Sequence, residues 1–150
     1  MFEPIPIEIA NKQETIQNKD GFCVSTTLPG ITPRTAGNYG VFFIAPFPCE
    51  VLSVSEVHQN NGTITNSTLQ VEKLTSNQAL RDGAFVCKTG FLMTTSANIP
   101  RTRTGYAELQ NTTLVKGDRL ALYEPLYALD AITGICVTVH LKPSGKGDYR

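Results

Sequence analysis

The stretch Ile135-Cys136-Val137-Thr138-Val139-His140-Leu141 alternates apolar and polar residues without a break. Successive side chains of a β-strand point to opposite faces. Ile135, Val137, Val139 and Leu141 therefore share one face, and Cys136, Thr138 and His140 share the other. One face suits a core and the other a wetter surface. Just upstream, residues 119–123 (RLALY) place Leu120 and Leu122 together after a tight turn at Lys116-Gly117-Asp118. Further back, residues 67–74 (STLQVEKL) place Leu69 and Val71 together, and the Asn60-Asn61-Gly62 turn separates them from residues 49–58 (CEVLSVSEVH). Residues 39–45 (YGVFFIA) are continuously apolar and predict a fully buried strand, which Pro46 and Pro48 end.

Between these runs the signals are weaker. Residues 76–81 predict a short helical turn, with Ser76 as N-cap and Asp82-Gly83 closing it. Residues 85–95 predict one broken strand, 97–104 (ANIPRTRT) a polar, basic loop, and 106–109 a short strand. Seven or eight strands result, with no long segment of 3.6-residue period between them. That pattern predicts an all-β fold, an antiparallel jelly-roll or β-sandwich of about eight strands with an extended N-terminal arm.

Two regions follow from this pattern: residues 1–36 as arm and linker, and residues 37–150 as the sandwich domain. In the arm, Pro4 and Pro6 hold Pro4-Ile5-Pro6-Ile7-Glu8-Ile9 extended. The donors of Ile5, Ile7 and Ile9 lie on one edge, while the prolines lack donors on the other, so the segment can join a sheet on one side only. It reads equally as a reaching arm or as an edge strand of the protein's own sheet. Residues 11–36 read as a polar stretch and a loop around Pro29-Gly30 and Pro33. The N-terminus has neither a basic region nor a continuous apolar one, so no signal peptide is expected.

Composition narrows the function classes. The 150 residues include 13 basic and 13 acidic side chains, with 41% hydrophobic and 17% charged residues. A neutral chain has no electrostatic footprint for nucleic acid and no polybasic patch for anionic lipid. No run approaches the ~20 apolar residues that a membrane helix needs. Cys23, Cys49, Cys87 and Cys136 are widely spaced; oxidised, they would allow three pairings, and the expectation is four buried, reduced thiols. Asn-x-Ser/Thr triplets at Asn61, Asn66 and Asn111 are expected by chance in so Thr- and Asn-rich a chain.

Residues suited to chemistry are few. His58 and His140 lack the short-spaced partners of a zinc site, and Cys136 is about 13 Å along the strand from His140 at ~3.3 Å per residue. Glu50, Glu56, Glu72, Asp118, Glu124 and Asp130 are scattered singly and read as solvated charges. Arg101 and Arg103 read as solvated loop arginines. Tyr123 and Tyr127 could serve as a sugar platform but read more simply as core or interface. No catalytic, cofactor-binding or metal-binding residue is therefore assigned, and no enzymatic activity is expected.

The segments GVFFIAPFPCEVLSVSEVH (40–58), LQVEKLTSNQAL (69–80), KGDRLALY (116–123) and GICVTVHLKP (134–143) resemble small structural proteins of tailed bacteriophages. The likeness is to jelly-roll head decoration, or cement, proteins such as those of cyanophages, and it covers roughly residues 37–143. It implies a virion protein on the outer surface of the capsid that bridges neighbouring subunits of the major capsid protein, as a homotrimer. The family also includes fibre- and tail-associated proteins, so the alternative is a receptor- or glycan-binding β module of the tail. The arm, through Phe2, Pro4, Ile5, Pro6, Ile7 and Ile9, is the expected capsid contact. The resemblance transfers no catalytic residue and no cofactor.

Overall fold

A computed structural model describes residues 21–31, 40–63, 65, 67–124 and 132–144. Two antiparallel sheets pack face to face. The first joins β1 (Phe22–Ile31), β10 (Thr133–Pro143) and β3 (Cys49–Val57), and the far edge of β3 is shared by β7 (Arg101–Thr104) and β8 (Thr113–Leu114). The second joins β2 (Val41–Ile44), β9 (Arg119–Tyr123) and β4 (Thr68–Leu74), whose far edge is shared by β5 (Ala84–Phe85) and β6 (Phe91–Leu92). Pairing is nested along the chain: β1 with β10, β2 with β9, β3 with β7 and β8, β4 with β5 and β6. The all-β sandwich expected from the alternating runs is the fold observed.

The alternation of β10 translates directly into burial. Ile135, Val137, Val139 and Leu141 are buried, while Cys136, Thr138 and His140 are half-buried on the outer face. The core between the sheets adds Val51 and Val54 from β3, Leu69 and Val71 from β4, Leu120 and Leu122 from β9, and Phe91, Met93 and Leu114. At the β1/β2 side the sandwich is closed by Phe22, whose ring centroid lies 6.0 Å from Phe43 and 5.9 Å from Phe47. At the opposite side backbone bonds cross between the sheets: Gln110 N–H donates to Val86 O and Lys88 N–H to Glu108 O, each at 2.8 Å.

Several expectations are corrected. Residues 22–31, expected within the linker, form the ten-residue strand β1, in register with β10 from Phe22↔Leu141 to Leu28↔Ile135. Its own alternation explains this: Phe22, Val24 and Leu28 pack against the core while Cys23, Ser25 and Thr27 face outward. The buried strand expected over 39–45 is the four-residue β2, an edge strand with Val41 and Ile44 exposed. No helix forms over 76–81; Ser76 and Arg81 both have positive φ (51° and 77°), which breaks helical geometry at each end. The strand expected at 106–109 is a single helical turn, α1 (Gly105–Glu108), entered through Gly105 at φ 75°. The basic loop expected at 97–104 ends in strand β7.

Candidate functional site

Phe2, Pro4, Ile5, Pro6, Ile7 and Ile9 lie outside the described residues, as do Tyr127 and Asp130. The remaining candidates occupy three settings: inside the sandwich, under a surface strap, and on the outer sheet face.

Inside, β3 turns Glu56 and His58 toward the core, and β7 turns Arg101 and Arg103 the same way, since Glu56 pairs with Arg101 and Val54 with Arg103. Glu56 and His58 are fully buried, against the expectation of a solvated carboxylate and solvated arginines. Arg101 Nε and Nη2 donate to Glu56 Oε2 at 3.1 and 2.8 Å, while Glu56 Oε1 contacts His58 Nδ1. Ala97 N–H donates to Asn61 Oδ1 at 2.9 Å, which fixes that atom as an acceptor, so His58 Nε2, 3.1 Å away, must donate to it. Nε2 therefore carries a proton, and Nδ1 faces the Glu56 carboxylate. A charge this deep is tolerable only because every partner is in place. The cluster ties the turn at 59–62 to the 93–99 segment, reinforced by Asn98 N–H donating to His58 O at 2.7 Å. Its interior position suits a structural knot rather than a site open to substrate.

Arg103 lies with its guanidinium carbon 4.8 Å from the centroid of buried Phe91, and it donates to the carbonyls of Thr89 and Gly90, each at 3.3 Å. This is a cation–π contact with hydrogen bonds completing it.

The strap is the segment between β4 and β5, which folds over the outer face of the second sheet. Glu72, also fully buried, accepts from Arg81 N–H at 2.8 Å and Gly83 N–H at 3.2 Å. Arg81 stacks 4.5 Å over the Tyr123 ring, and Phe85 lies 4.8 Å from the same ring. Arg119 donates to the carbonyls of Ser76 and Gln78 at 3.1 and 2.9 Å. Tyr123 is thereby covered rather than offered as a platform. Asp118, likewise buried, accepts from Val115 N–H at 2.9 Å inside its turn. Glu124 is buried as well.

The four cysteines are free. Cys49 and Cys87 are buried, Cys136 is half-buried, and Cys23 is exposed, which corrects the expectation of four buried thiols. Burial pushes the Cys87 thiol up to about 12, and burial followed by the Asp118 charge pushes Cys49 up to about 11. Neither is poised as a nucleophile at neutral pH.

The outer face of the first sheet carries rows of small polar side chains. Ser25, Thr138, Ser55 and Thr102 stand opposite one another across β1, β10, β3 and β7. Ser25 and Thr138 hydroxyls are 2.7 Å apart, and Ser55 and Thr102 hydroxyls 2.8 Å. A second row runs Cys23, His140, Ser53 and Thr104. Neither row contains a charged acid or basic chain of Asp, Glu, Lys or Arg. Alternation over residues 135–141 turned Thr138 and His140 outward, but the alignment of either row depends on register.

Comparison with family models, with curated proteins and with solved structures found no match to this chain.

Proposed function

We propose that this chain is a structural virion protein that binds the outside of a tailed-phage capsid and bridges neighbouring subunits of its major capsid protein, as a homotrimer. The observation that carries this reading is the corner formed by β1 and β2. β1 is the last strand of its sheet and β2 the last of the other, so both leave an unpaired edge among the described residues. Val41 and Ile44 add exposed apolar surface there, 40% and 63% accessible. Open edges with apolar side chains invite strand addition and are managed by covering them. The one-sided Pro-Ile stretch lies just upstream of β1, where it can add to such an edge on a neighbour. A cyclic arrangement would let each copy cover the next. The low-charge outer face of the first sheet suits contact with protein more than with nucleic acid.

The nested pairing also supports a jelly roll in particular. With β5/β6 and β7/β8 each counted as one interrupted strand, eight strands fold back on themselves in two four-stranded sheets. Binding that favours the assembled shell would stabilise it by mass action, and three arms per trimer would add avidity.

Co-sedimentation with expanded shells of the tailed phage whose genome carries this chain tests the proposal. The full chain should pellet with the shells. Removing residues 1–11 should abolish that binding while the sandwich keeps its cooperative unfolding transition. Undiminished binding without residues 1–11 would overturn the arm's role, and failure of the full chain to bind would overturn the function.

A further inference from the structure

A cleft of about 300 Å³ opens where β3 runs past α1, lined by Glu50, Val51, Leu52, Thr104, Tyr106 and Leu109 among others. It exists because β7 stops at Thr104 and β8 starts at Thr113, so neither strand pairs with the Val51-Leu52 part of β3. Two of the backbone groups there are nonetheless engaged: Val51 N–H donates to Thr112 O at 2.8 Å, and Leu52 O accepts from Thr104 Oγ1 at 3.1 Å. Those groups are not free to pair with an incoming strand. The cleft's occupant must be recognised chiefly by side chains.

Those side chains are of a specific kind. The floor is apolar, made by buried Val51 and Leu109. Gly105, at φ 75°, swings the chain outward and puts Tyr106 on the rim with 88% of its surface exposed. Its ring adds almost nothing to the fold and leaves a face open beside the cavity. Glu50 brings a carboxylate to the mouth, an acceptor for ligand hydroxyls. That single negative charge disfavours a phosphate or another anion. Thr104 donates to Leu52 O and keeps its lone pairs for an incoming hydroxyl. An apolar face for an aromatic ring, a rim of hydroxyls for a carboxylate and a threonine, and a size at the lower end of ligand clefts together describe a sugar ring.

We propose that this cleft binds a single pyranose unit of a neutral saccharide, stacked on Tyr106 with its hydroxyls on Glu50 and Thr104. This goes beyond the capsid reading and does not depend on it.

Titrating the full chain with the methyl glycosides of glucose, galactose, mannose and N-acetylglucosamine, followed by NMR chemical shifts, tests it. At least one should give saturable shifts confined to the residues around the cleft, with a dissociation constant of about a millimolar. Tyr106→Ala should weaken that binding by about tenfold, whereas Tyr106→Phe, which keeps the ring, should stay within about threefold. The exposure of Tyr106 leaves the fold of both variants intact, which an unchanged thermal transition would verify. The proposal is overturned if no glycoside gives saturable shifts, or if Tyr106→Ala binds as tightly as the parent chain. It is also overturned if the shifts at Tyr106 follow protein concentration instead of sugar, because the ring then contacts a second copy.

Discussion

Glu56 accepts hydrogen bonds from Arg101 on one carboxylate oxygen and contacts His58 on the other, all of it in or next to the core. Glu56→Gln keeps the shape but removes the carboxylate charge that the Arg101 guanidinium pairs with. Breaking a buried pair by removing one partner costs about 3–5 kcal/mol, and a loss of that size should appear in urea unfolding. A loss below about 1 kcal/mol would mean that the arginine and histidine find other acceptors. The two buried thiols give a second expectation. Unfolded, they ionise near the ordinary 9.0; folded, they hold their protons to about 11 at Cys49 and about 12 at Cys87. Across that window the folded chain binds more protons than the unfolded one, so stability falls as pH rises above about 9. The urea midpoint should drop between pH of about 8 and about 10, and Cys49→Ser with Cys87→Ser should flatten that drop. None of this chemistry was legible in the sequence. Glu56 and Arg101 are 45 positions apart, Glu72 is capped by amides nine and eleven positions away, and single scattered carboxylates look alike whether solvated or buried.

At the scale of elements, legibility followed the identity of the inward residues. β3, β4, β9 and β10 turn Val, Leu and Ile to the core, and shared-face patterning marked β4, β9 and β10. β7 turns two arginines inward, so its period-two pattern read as a charged loop; the compensation for those charges comes from Glu56 on β3 and from the Phe91 ring. β1 alternates as clearly as β9, but its outward Cys, Ser and Thr and its terminal Pro29-Gly30 resembled a linker. That misplacement has a measurable consequence. A chain beginning at Gly37 lacks β1, which exposes the edge of β10 and strips Phe22, Val24 and Leu28 from the core margin. It should elute as aggregate in size exclusion and unfold without a cooperative transition, whereas a chain beginning at Gly21 should remain soluble and cooperative. A cooperative chain from Gly37 would show that β1 is dispensable.

For the whole molecule, nested pairing means that first and last strands meet, second and second-to-last meet, and the pattern closes around β4 and β5. Alternation could supply the number of strands, but not their partners, because every half-buried strand presents the same periodicity whichever neighbour it takes. The cleft beside α1 was illegible for the same reason: it is the gap between β7 and β8 along β3, a product of where two short strands stop. Nested pairing also decides how the domain would carry a load. Phe22 is opposite Leu141, so the start of β1 and the end of β10 share one corner of the sandwich. A pull applied between those two points meets the strand pair at right angles and opens it one hydrogen bond at a time, as a zipper opens, at low force. A pull between the start of β1 and a partner gripping the other end of β10, near Thr133, would instead run along the strands, with many bonds bearing it together. A tether through the N-terminus is therefore mechanically robust only when the resisting contact lies toward the Thr133 end of β10 and not at its Pro143 end.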